Sequence, residues 1–202
     1  FFHPEDCEKL FELADQNIDI NDSSEKGMLW AEKNAIQKHI ISCVSMSCID
    51  LNRIQKRKFK VVIDAVNGAG SNALPPLLES LGCEVFELYC EPNGDFVRGT
   101  EPLPEHLKNL GEEVIKYGAD VGFAVDPDAD RLAIVNEMGE PLGEEYTLVV
   151  AADGYLRDTG KEEKFVINLS TSLALEKLAE SNNSSVTRSA VGEINVVNKM
   201  IE

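Results

Sequence analysis

The hydrophobic and polar positions of the chain follow two different periods. Up to about residue 59 the apolar residues recur at helical spacing, beginning with Cys7, Leu10, Phe11 and Ala14. Beyond that point they form short continuous runs rich in β-branched side chains, which are typical of strands buried on both faces. The pattern therefore predicts a helical beginning followed by an α/β region.

Three helices are predicted in the first part of the chain. The first begins near Pro4, the second covers about 29–44, and Asp50 is a candidate cap for a short third helix. A polar break at 17–27 separates the first two. The second helix would place four apolar residues on one side: Ile36, Ile40, Ile41 and Val44. We assign residues 1–34 to a helical lead-in that belongs to a preceding domain.

Strands and helices alternate after residue 60. The predicted strands are 61–63, 84–88, 121–125 and 132–135. Three helices are predicted between and after them: one that ends near residue 81, one at 105–117 and one at 144–156. The order β-α-β-α-β-β predicts a three-layer α/β/α sandwich with a mixed β-sheet. We assign this domain to residues 35–157.

A second, incomplete α/β unit is predicted at residues 162–202. The charged stretch 157–164 contains Gly160 and is a candidate linker. A strand at 165–168, a helix at 171–180 and a further strand from Val186 follow it. Two strands and two helices bury little apolar surface. We therefore expect this unit to pack against the neighbouring domain or to be part of a larger domain.

Composition narrows the classes of partner. The chain has 202 residues, of which 43% are hydrophobic, and 36 acidic residues against 19 basic ones give a net charge of -17. Such a surface disfavours nucleic acid and anionic membranes. A phosphate site in this chain would therefore need local cations.

Cysteine usage and the chain ends suggest a compartment and an incomplete protein. The five cysteines are an odd number and form no C-x-x-C motif, which predicts reduced thiols and a cytoplasmic protein. Neither a signal peptide nor an apolar run of transmembrane length occurs. The chain begins without Met and stops inside a predicted helix, so we expect it to be a piece of a longer protein.

The segment Asp126-Pro127-Asp128-Ala129-Asp130-Arg131, called here the Asp turn, carries the strongest chemical signal. Three carboxylates at alternate positions can converge, and they repel one another unless a cation lies among them. Oxygen ligands suit Mg²⁺ or Ca²⁺. The guanidinium of Arg131 could then bind an anion beside the metal through two parallel hydrogen bonds, and phosphate is the natural candidate for that anion.

Several alternatives compete for the same residues. A solvated acidic turn is the simplest, and a Ca²⁺-binding module without enzymatic activity is another. An EF-hand loop would use Asp126, Asp128, Asp130 and Glu137, but Arg131 stands at its glycine position and strands replace its helices, so we reject it. A haloacid-dehalogenase-like phosphatase with Asp126 as nucleophile stays open.

Two further segments are candidates for a role. Asn67-Gly68-Ala69-Gly70 follows a strand, and we interpret its glycines as a sharp turn, with a phosphate cradle as the alternative. The stretch 91–104 is a long loop, and long ordered loops are often functional. Its only cation is Arg98, for which we predict an exposed position, with contact to a substrate anion as the alternative.

These motifs together resemble those of the α-D-phosphohexomutases, a family that includes phosphoglucomutase/phosphomannomutase and phosphoglucosamine mutase. The resemblance runs from about residue 35 and rests on five segments: D-A-V-N-G-A-G at 64–70, E-P-N-G-D-F at 91–96, E-P-L-P at 101–104, G-A-D-V-G-F-A-V-D-P-D-A-D-R at 118–131 and S-A-V-G-E-I-N-V-V at 189–197. It implies four domains around one cleft, of which this chain is the second and the start of the third.

The resemblance also implies roles for individual residues. Asp126, Asp128 and Asp130 would hold the catalytic Mg²⁺, and Arg131 would bind a substrate phosphate. A phosphoserine on the first domain would be the fourth metal contact. Gly192 and Glu193 match the loop of the third domain that contacts substrate, where many members carry another polar residue at the glutamate position. The implied reaction moves a phosphoryl group between the 1- and 6-positions of a hexose phosphate through a bisphosphorylated intermediate.

Two departures limit what this chain would do alone. It has no Ser-His-Asn-Pro motif, and the later sugar and phosphate loops of the family are absent. Val97 stands where the family often has Pro. We therefore expect the chain to be inactive alone and to need the missing domains of the same polypeptide. Glucose, mannose and glucosamine phosphates all stay open as substrates.

Overall fold

A computed structural model describes residues 2–16, 27–143 and 145–202. The helices are α1 (Pro4–Asp15), α2 (Ala35–Val44), α3 (Leu51–Arg57), α4 (Leu74–Ser80), α5 (Lys108–Tyr117), α6 (Glu145–Thr159), α7 (Leu173–Ser181) and α8 (Glu193–Ile201), and the strands are β1 (Lys60–Asp64), β2 (Glu84–Leu88), β3 (Val121–Val125), β4 (Leu132–Val135), β5 (Lys164–Asn168) and β6 (Ser185–Ser189). None of the described helices combines the length and apolar character needed to cross a membrane.

The larger sheet has four strands in the order β2-β1-β3-β4. β1 pairs in parallel with both β2 and β3, whereas β3 and β4 are antiparallel and joined by the Asp turn. The sheet is therefore mixed, as the sequence predicts. Because β1 leads to β2 on one side while β3 lies on the other, the strand order reverses between β1 and β3.

Helices cover both faces of this sheet. Val62 and Ala124 face α5, where they pack against Leu110 and Val114. The neighbouring positions Val61 and Ile63 point to the opposite face, where they pack with Leu78 of α4. This alternation explains the continuous apolar run of β1, since both faces of the strand are buried. The three-layer α/β/α sandwich is confirmed.

The smaller sheet consists of the parallel strands β5 and β6. Ile167 and Leu175 form its core together with Ala152 of α6. Helix α6 extends to Thr159, three residues beyond its predicted end, so the predicted linker at 157–164 shortens to 160–163. The placement of a domain boundary after residue 157 stays a prediction.

Some predicted element bounds are wrong. α2 begins at Ala35 rather than near residue 29, because the side chain of Glu32 accepts the Asn34 amide at 2.8 Å and fixes a local turn that competes with helix. Of the four apolar residues predicted to share one side of α2, Ile40 is buried, whereas Ile36 and Ile41 are exposed. The polar break at 17–27 lies outside the described residues except for Gly27.

The start of α5 also differs from the prediction. A 3-10 turn covers Pro104–His106, and the α-helix begins at Lys108 instead of residue 105. The third helix agrees with its prediction, since the Asp50 side chain accepts the Arg53 amide at 2.9 Å.

Candidate functional site

The Asp turn lies at the carboxyl end of β3, next to the turn that follows β1. This is where the strand order of the sheet reverses, and in open α/β sheets ligands bind outside the carboxyl ends of the strands at such a point. The fold therefore places the three predicted metal ligands where a ligand site is expected.

The carboxylates of Asp126, Asp128 and Asp130 converge. One oxygen from each lies within 4.8 Å of the others. Asp126 is buried, at 5% exposure, whereas the other two are exposed. The backbone amide of Arg131 donates to Asp126 Oδ1 at 3.0 Å, and Ala129 takes the left-handed conformation with a φ of 61°, which closes the turn. Asp126 is thus the fixed member of the triad.

The charges of the triad perturb one another. Burial would raise the pKa of Asp126, but hydrogen bonds from the Arg131 amide and from the two neighbouring Asp side chains lower it below its usual value. The pKa of Asp130 is raised by its hydrogen bond to Asp126 and by the negative charges of Asp126 and Asp128. A divalent cation among the three oxygens would relieve this repulsion.

The donor set of the triad fits Mg²⁺. Oxygens bound to one Mg²⁺ lie about 3 to 4 Å apart, because each metal–oxygen distance is about 2.0 to 2.1 Å. Carboxylates within 4.8 Å of one another need shifts of less than about 1 Å to reach that geometry. Asp128 and Asp130 are exposed, so a shift of that size would not require repacking of the core.

Arg131 points along the loop that precedes α5. Its Nη1 donates to the carboxylate of Glu101, and its Nε lies 3.8 Å from Asp130 Oδ1. The charge of Glu101 raises the pKa of Arg131, and the side chain is 57% exposed. Arg131 therefore combines a carboxylate partner with an exposed guanidinium edge. Glu101 begins the E-P-L-P segment, but the motif alone does not indicate that this residue pairs with Arg131.

Arg98 is buried, so the predicted exposed position is wrong. Its side chain is 3% exposed, and its Nε donates to Asp64 Oδ2 at 2.6 Å. Its Nη2 donates to the carbonyl oxygen of Val125 at 2.5 Å. Burial raises the pKa of Asp64, an effect that the positive charge of Arg98 opposes. The partner of Arg98 lies 34 positions away in the chain, so the sequence around Arg98 does not indicate the ion pair.

The turn after β1 contacts the Asp turn directly. The amide of Ala69 donates to the carbonyl oxygen of Pro127 at 2.8 Å. A Cβ placed on Gly68 would lie 2.4 Å from that same oxygen, so only glycine fits there. Val66 and Asn67 precede it with positive φ values of 47° and 56°, and strained backbone of this kind clusters at functional sites.

Gly192 and Glu193 lie on the second unit, at the start of α8. Gly192 has a φ of 119° and is the N-cap, and Glu193 is the exposed first residue of the helix. In the described part of the chain no hydrogen bond or ion pair links either residue to the Asp turn. Their role as substrate contacts stays a prediction.

Glu137, the last ligand of a hypothetical EF-hand, lies far from the triad. Val125 pairs with Leu132 and Gly122 with Val135, so β4 runs away from the Asp turn and Glu137 follows its far end. Four strand residues span about 13 Å. Together with the two flanking strands, this confirms that the loop is not an EF-hand.

Comparisons with known proteins agree on one family. A family model described as phosphoglucomutase/phosphomannomutase, alpha/beta/alpha domain II, matches residues 37–139. The corresponding model for alpha/beta/alpha domain III matches residues 143–202.

Two curated relatives illustrate the sequence similarity. The chain is 39% identical over 155 residues to a phosphoglucomutase/phosphomannomutase of Thermococcus kodakarensis, which covers 76% of this chain and 34% of the relative. It is 31% identical over 180 residues to a phosphoglucosamine mutase of Desulforamulus reducens, which covers 88% of this chain and 39% of the relative. The chain thus spans between a third and two fifths of these relatives.

A solved structure shows the same fold. A phosphoglucomutase/phosphomannomutase family protein from Burkholderia thailandensis superimposes with a TM-score of 0.73 at 20% sequence identity. The match covers 99% of this chain and 42% of that protein.

Proposed function

The chain belongs to the phosphoglucomutase/phosphomannomutase family, and from that membership we propose that its Asp turn is the magnesium site of a phosphohexomutase. The observation that carries the proposal is the convergence of Asp126, Asp128 and Asp130 within 4.8 Å, directly beside Arg131. An oxygen-only cluster next to a guanidinium suits a hard cation together with a phosphate group.

The proposed reaction moves a phosphoryl group between the 1- and 6-positions of a hexose phosphate. It passes through a phosphoserine and a bisphosphorylated intermediate. The names of the relatives support a mutase that acts on hexose phosphates. Because the chain spans at most 42% of the relatives named above, we propose that other domains of the same polypeptide supply the serine and the remaining substrate contacts. The identity of the sugar stays open.

Each residue of the site has a proposed part in this reaction. Asp126 supplies a buried oxygen, and Asp128 and Asp130 supply two exposed ones. Bound there, Mg²⁺ would offset negative charge on the transferred phosphoryl group. Arg131 binds phosphate oxygens through the exposed edge of its guanidinium group, while Glu101 remains its carboxylate partner. Gly192 and Glu193 are proposed substrate contacts from the second unit.

Isothermal titration with Mg²⁺ tests the metal site. We expect the Asp128→Asn variant to bind Mg²⁺ at least about tenfold more weakly than wild type, since it loses a charged ligand. Glu137→Gln is the matched control, because it removes the same charge at the far end of β4, and it should bind as wild type does. Equal binding by wild type and Asp128→Asn would contradict the proposal.

A second assay separates the competing functions. We expect Mg²⁺ to bind at least as well as Ca²⁺ and the chain alone to leave an aryl phosphate intact. Turnover that is lost in the Asp126→Asn variant would instead indicate a phosphatase with Asp126 as nucleophile. A strong preference for Ca²⁺ with a change of conformation would indicate a Ca²⁺-binding module.

A further inference from the structure

The ion pair between Arg98 and Asp64 is buried almost completely. The two side chains are 3% and 1% exposed, and their closest atoms lie 2.6 Å apart. Replacing such a pair by apolar residues of similar volume is often neutral or stabilising, since both charges lose their hydration on burial. The stability of the fold is thus a weak reason for placing charges here, and a second role is indicated.

Arg98 makes a contact that an ion pair does not require. Its Nη2 donates to the carbonyl oxygen of Val125 at 2.5 Å. Val125 is the last residue of β3, and its carbonyl belongs to the peptide that joins it to Asp126. A guanidinium from a separate loop therefore holds the peptide plane from which the buried carboxylate of the triad projects.

The same guanidinium connects two neighbouring strands. Asp64 is the last residue of β1 and lies in register with Ala124 of β3. Its second oxygen accepts the amide of Val66 at 2.9 Å, which fixes the chain just beyond β1. Arg98 thus ties the carboxyl ends of β1 and β3 to each other at the point where the strand order reverses.

The loop that carries Arg98 is itself anchored. The side-chain amide of Asn67 donates to the carbonyl oxygen of Asp95 at 2.9 Å and accepts the amide of Glu91 at 3.1 Å. The carbonyl oxygen of Asn67 accepts the amide of Gly94 at 3.1 Å. Arg98 therefore approaches Val125 from a rigid support.

We propose that Arg98 is a positioning residue of the metal site, which acts by fixing the Val125–Asp126 peptide. This rests on the proposed function of the Asp turn as a magnesium site. Rotation of that peptide would swing the carboxylate of Asp126 away from those of Asp128 and Asp130. Groups that orient metal ligands without touching the metal typically change affinity by about 10- to 100-fold when they are removed.

The decisive variant separates this contact from the ion pair. The double substitution Arg98→Met with Asp64→Asn removes both charges together, so no unpaired charge is left buried, and it deletes the hydrogen bond to Val125. Arg98→Lys is the second variant. Lysine keeps a positive charge for Asp64, but a single ammonium group cannot bond to Asp64 and to the Val125 carbonyl as the planar guanidinium does. Arg188→Met with Glu176→Gln is the matched control, since that pair lies in the second unit with the same 2.6 Å distance.

Mg²⁺ affinity is measured by isothermal titration at a temperature where melting curves show each variant to be folded. We expect both Arg98 variants to bind Mg²⁺ about 10- to 100-fold more weakly than wild type and the control to stay within about twofold. A purely structural role would lower the melting temperature and leave the affinity of the folded protein unchanged, and that result would overturn the proposal.

The Asp128→Asn variant makes the two levels of the hypothesis distinguishable. If it loses Mg²⁺ binding while the Arg98 variants keep wild-type affinity, the metal site stands and the positioning role fails. If wild type binds no better than Asp128→Asn, the proposed function fails and the positioning role fails with it.

Discussion

Gly68 and Pro127 approach each other backbone to backbone. The carbonyl oxygen of Pro127 would lie only 2.4 Å from a Cβ placed on Gly68, and it accepts the amide of Ala69 at 2.8 Å. Pro127 lies between the first two carboxylates of the triad. The turn after β1 is therefore a support for the metal ligands, and its composition matters for the site as well as for the fold.

We expect Gly68→Ala to displace the Asp turn. The new methyl group would meet backbone atoms, which cannot rotate away, so one of the two turns must shift. Overpacking of this kind destabilises a fold by about 1–3 kcal/mol. We also expect weaker Mg²⁺ binding. Calorimetric melting and Mg²⁺ titration of the same preparation measure both effects.

Gly154→Ala is the control for that variant. A Cβ at Gly154, within α6, meets no atom within 4 Å, and alanine is the better helix former. It should be neutral or stabilise the protein by up to about 1 kcal/mol. Wild-type stability and metal affinity in the Gly68→Ala variant would show that the two turns are not mechanically coupled.

The role of Asn67 can be divided into a side-chain part and a backbone part. Its amide makes two hydrogen bonds to the loop 91–95, and its φ is 56°. Asn67→Gly removes the hydrogen bonds while glycine tolerates the left-handed conformation, so we expect a loss of about 1–3 kcal/mol in the free energy of unfolding. Asn67→Ala should lose roughly 1 kcal/mol more because alanine is strained there.

Urea unfolding of both variants measures the two losses. Neither side chain can bond to the loop, so the difference between Ala and Gly combines two effects: the strain of a left-handed alanine and the lower conformational entropy of alanine in the unfolded chain, which opposes it. An Ala variant more stable than the Gly variant would argue against a left-handed residue at position 67, because only the unfolded-state effect would then remain.

The parts of the site that were predicted from sequence are those coded within a few residues. The apolar runs on either side of the Asp turn gave β3 and β4, and the alternation of Asp126, Asp128 and Asp130 gave the triad. The support of the triad depends on strand order, which brings Asp64 beside Ala124 across the sheet. Nothing near Arg98 in the sequence indicates that its partners are Asp64 and Val125.

The predicted first residue of α2 was wrong for a related reason. Hydrophobic periodicity extended α2 back to residue 29, but the helix begins only at Ala35 because Glu32 accepts the Asn34 amide and Lys38 bonds to the same carboxylate. Hydrogen bonds made by polar side chains to the nearby backbone compete with helix formation, and a pattern of apolar positions does not register them.

The thiol of Cys90 should react slowly. Burial is the main reason that its pKa is raised to about 11, and the negative charges of Glu87 and Asp64 add to the shift. The sulfur also contacts the carbonyl oxygens of Ile63 and Leu88. Below pH 9 this raised pKa lowers the fraction of thiolate about 100-fold. The more basic thiolate is also the better nucleophile, so the reaction rate falls by only about tenfold.

Iodoacetamide labelling followed by peptide mass spectrometry checks this expectation across pH. The sign is fixed by the raised pKa: the labelling rate of Cys90 should keep rising with pH up to about 11. A rate that levels off below pH 9.5 would contradict the burial that the fold assigns to this side chain. Labelling of the unfolded protein in urea provides the reference rate.

The last prediction concerns Arg131 in the complete polypeptide. In the structure its guanidinium bonds to Glu101 and lies near Asp130, and more than half of the side chain is exposed. If the exposed edge serves phosphate, Arg131→Lys should leave melting and Mg²⁺ affinity nearly unchanged, because lysine keeps the charge beside the carboxylates. It should lower kcat/KM by about tenfold or more, since an ammonium group cannot bind phosphate oxygens bidentately.

Steady-state kinetics with a hexose 1-phosphate, melting and Mg²⁺ titration on this one variant decide between the two roles of Arg131. Arg157→Lys is the control, because Arg157 also pairs with a carboxylate on an exposed surface, at 2.9 Å from Asp153, but lies on α6. If Arg131 instead serves the turn through Glu101 and Asp130, stability and metal affinity should fall together. A loss of stability with normal kcat/KM would contradict the phosphate role. The reason is that losing a contact to the substrate phosphate must lower kcat/KM, which measures stabilisation of the transition state.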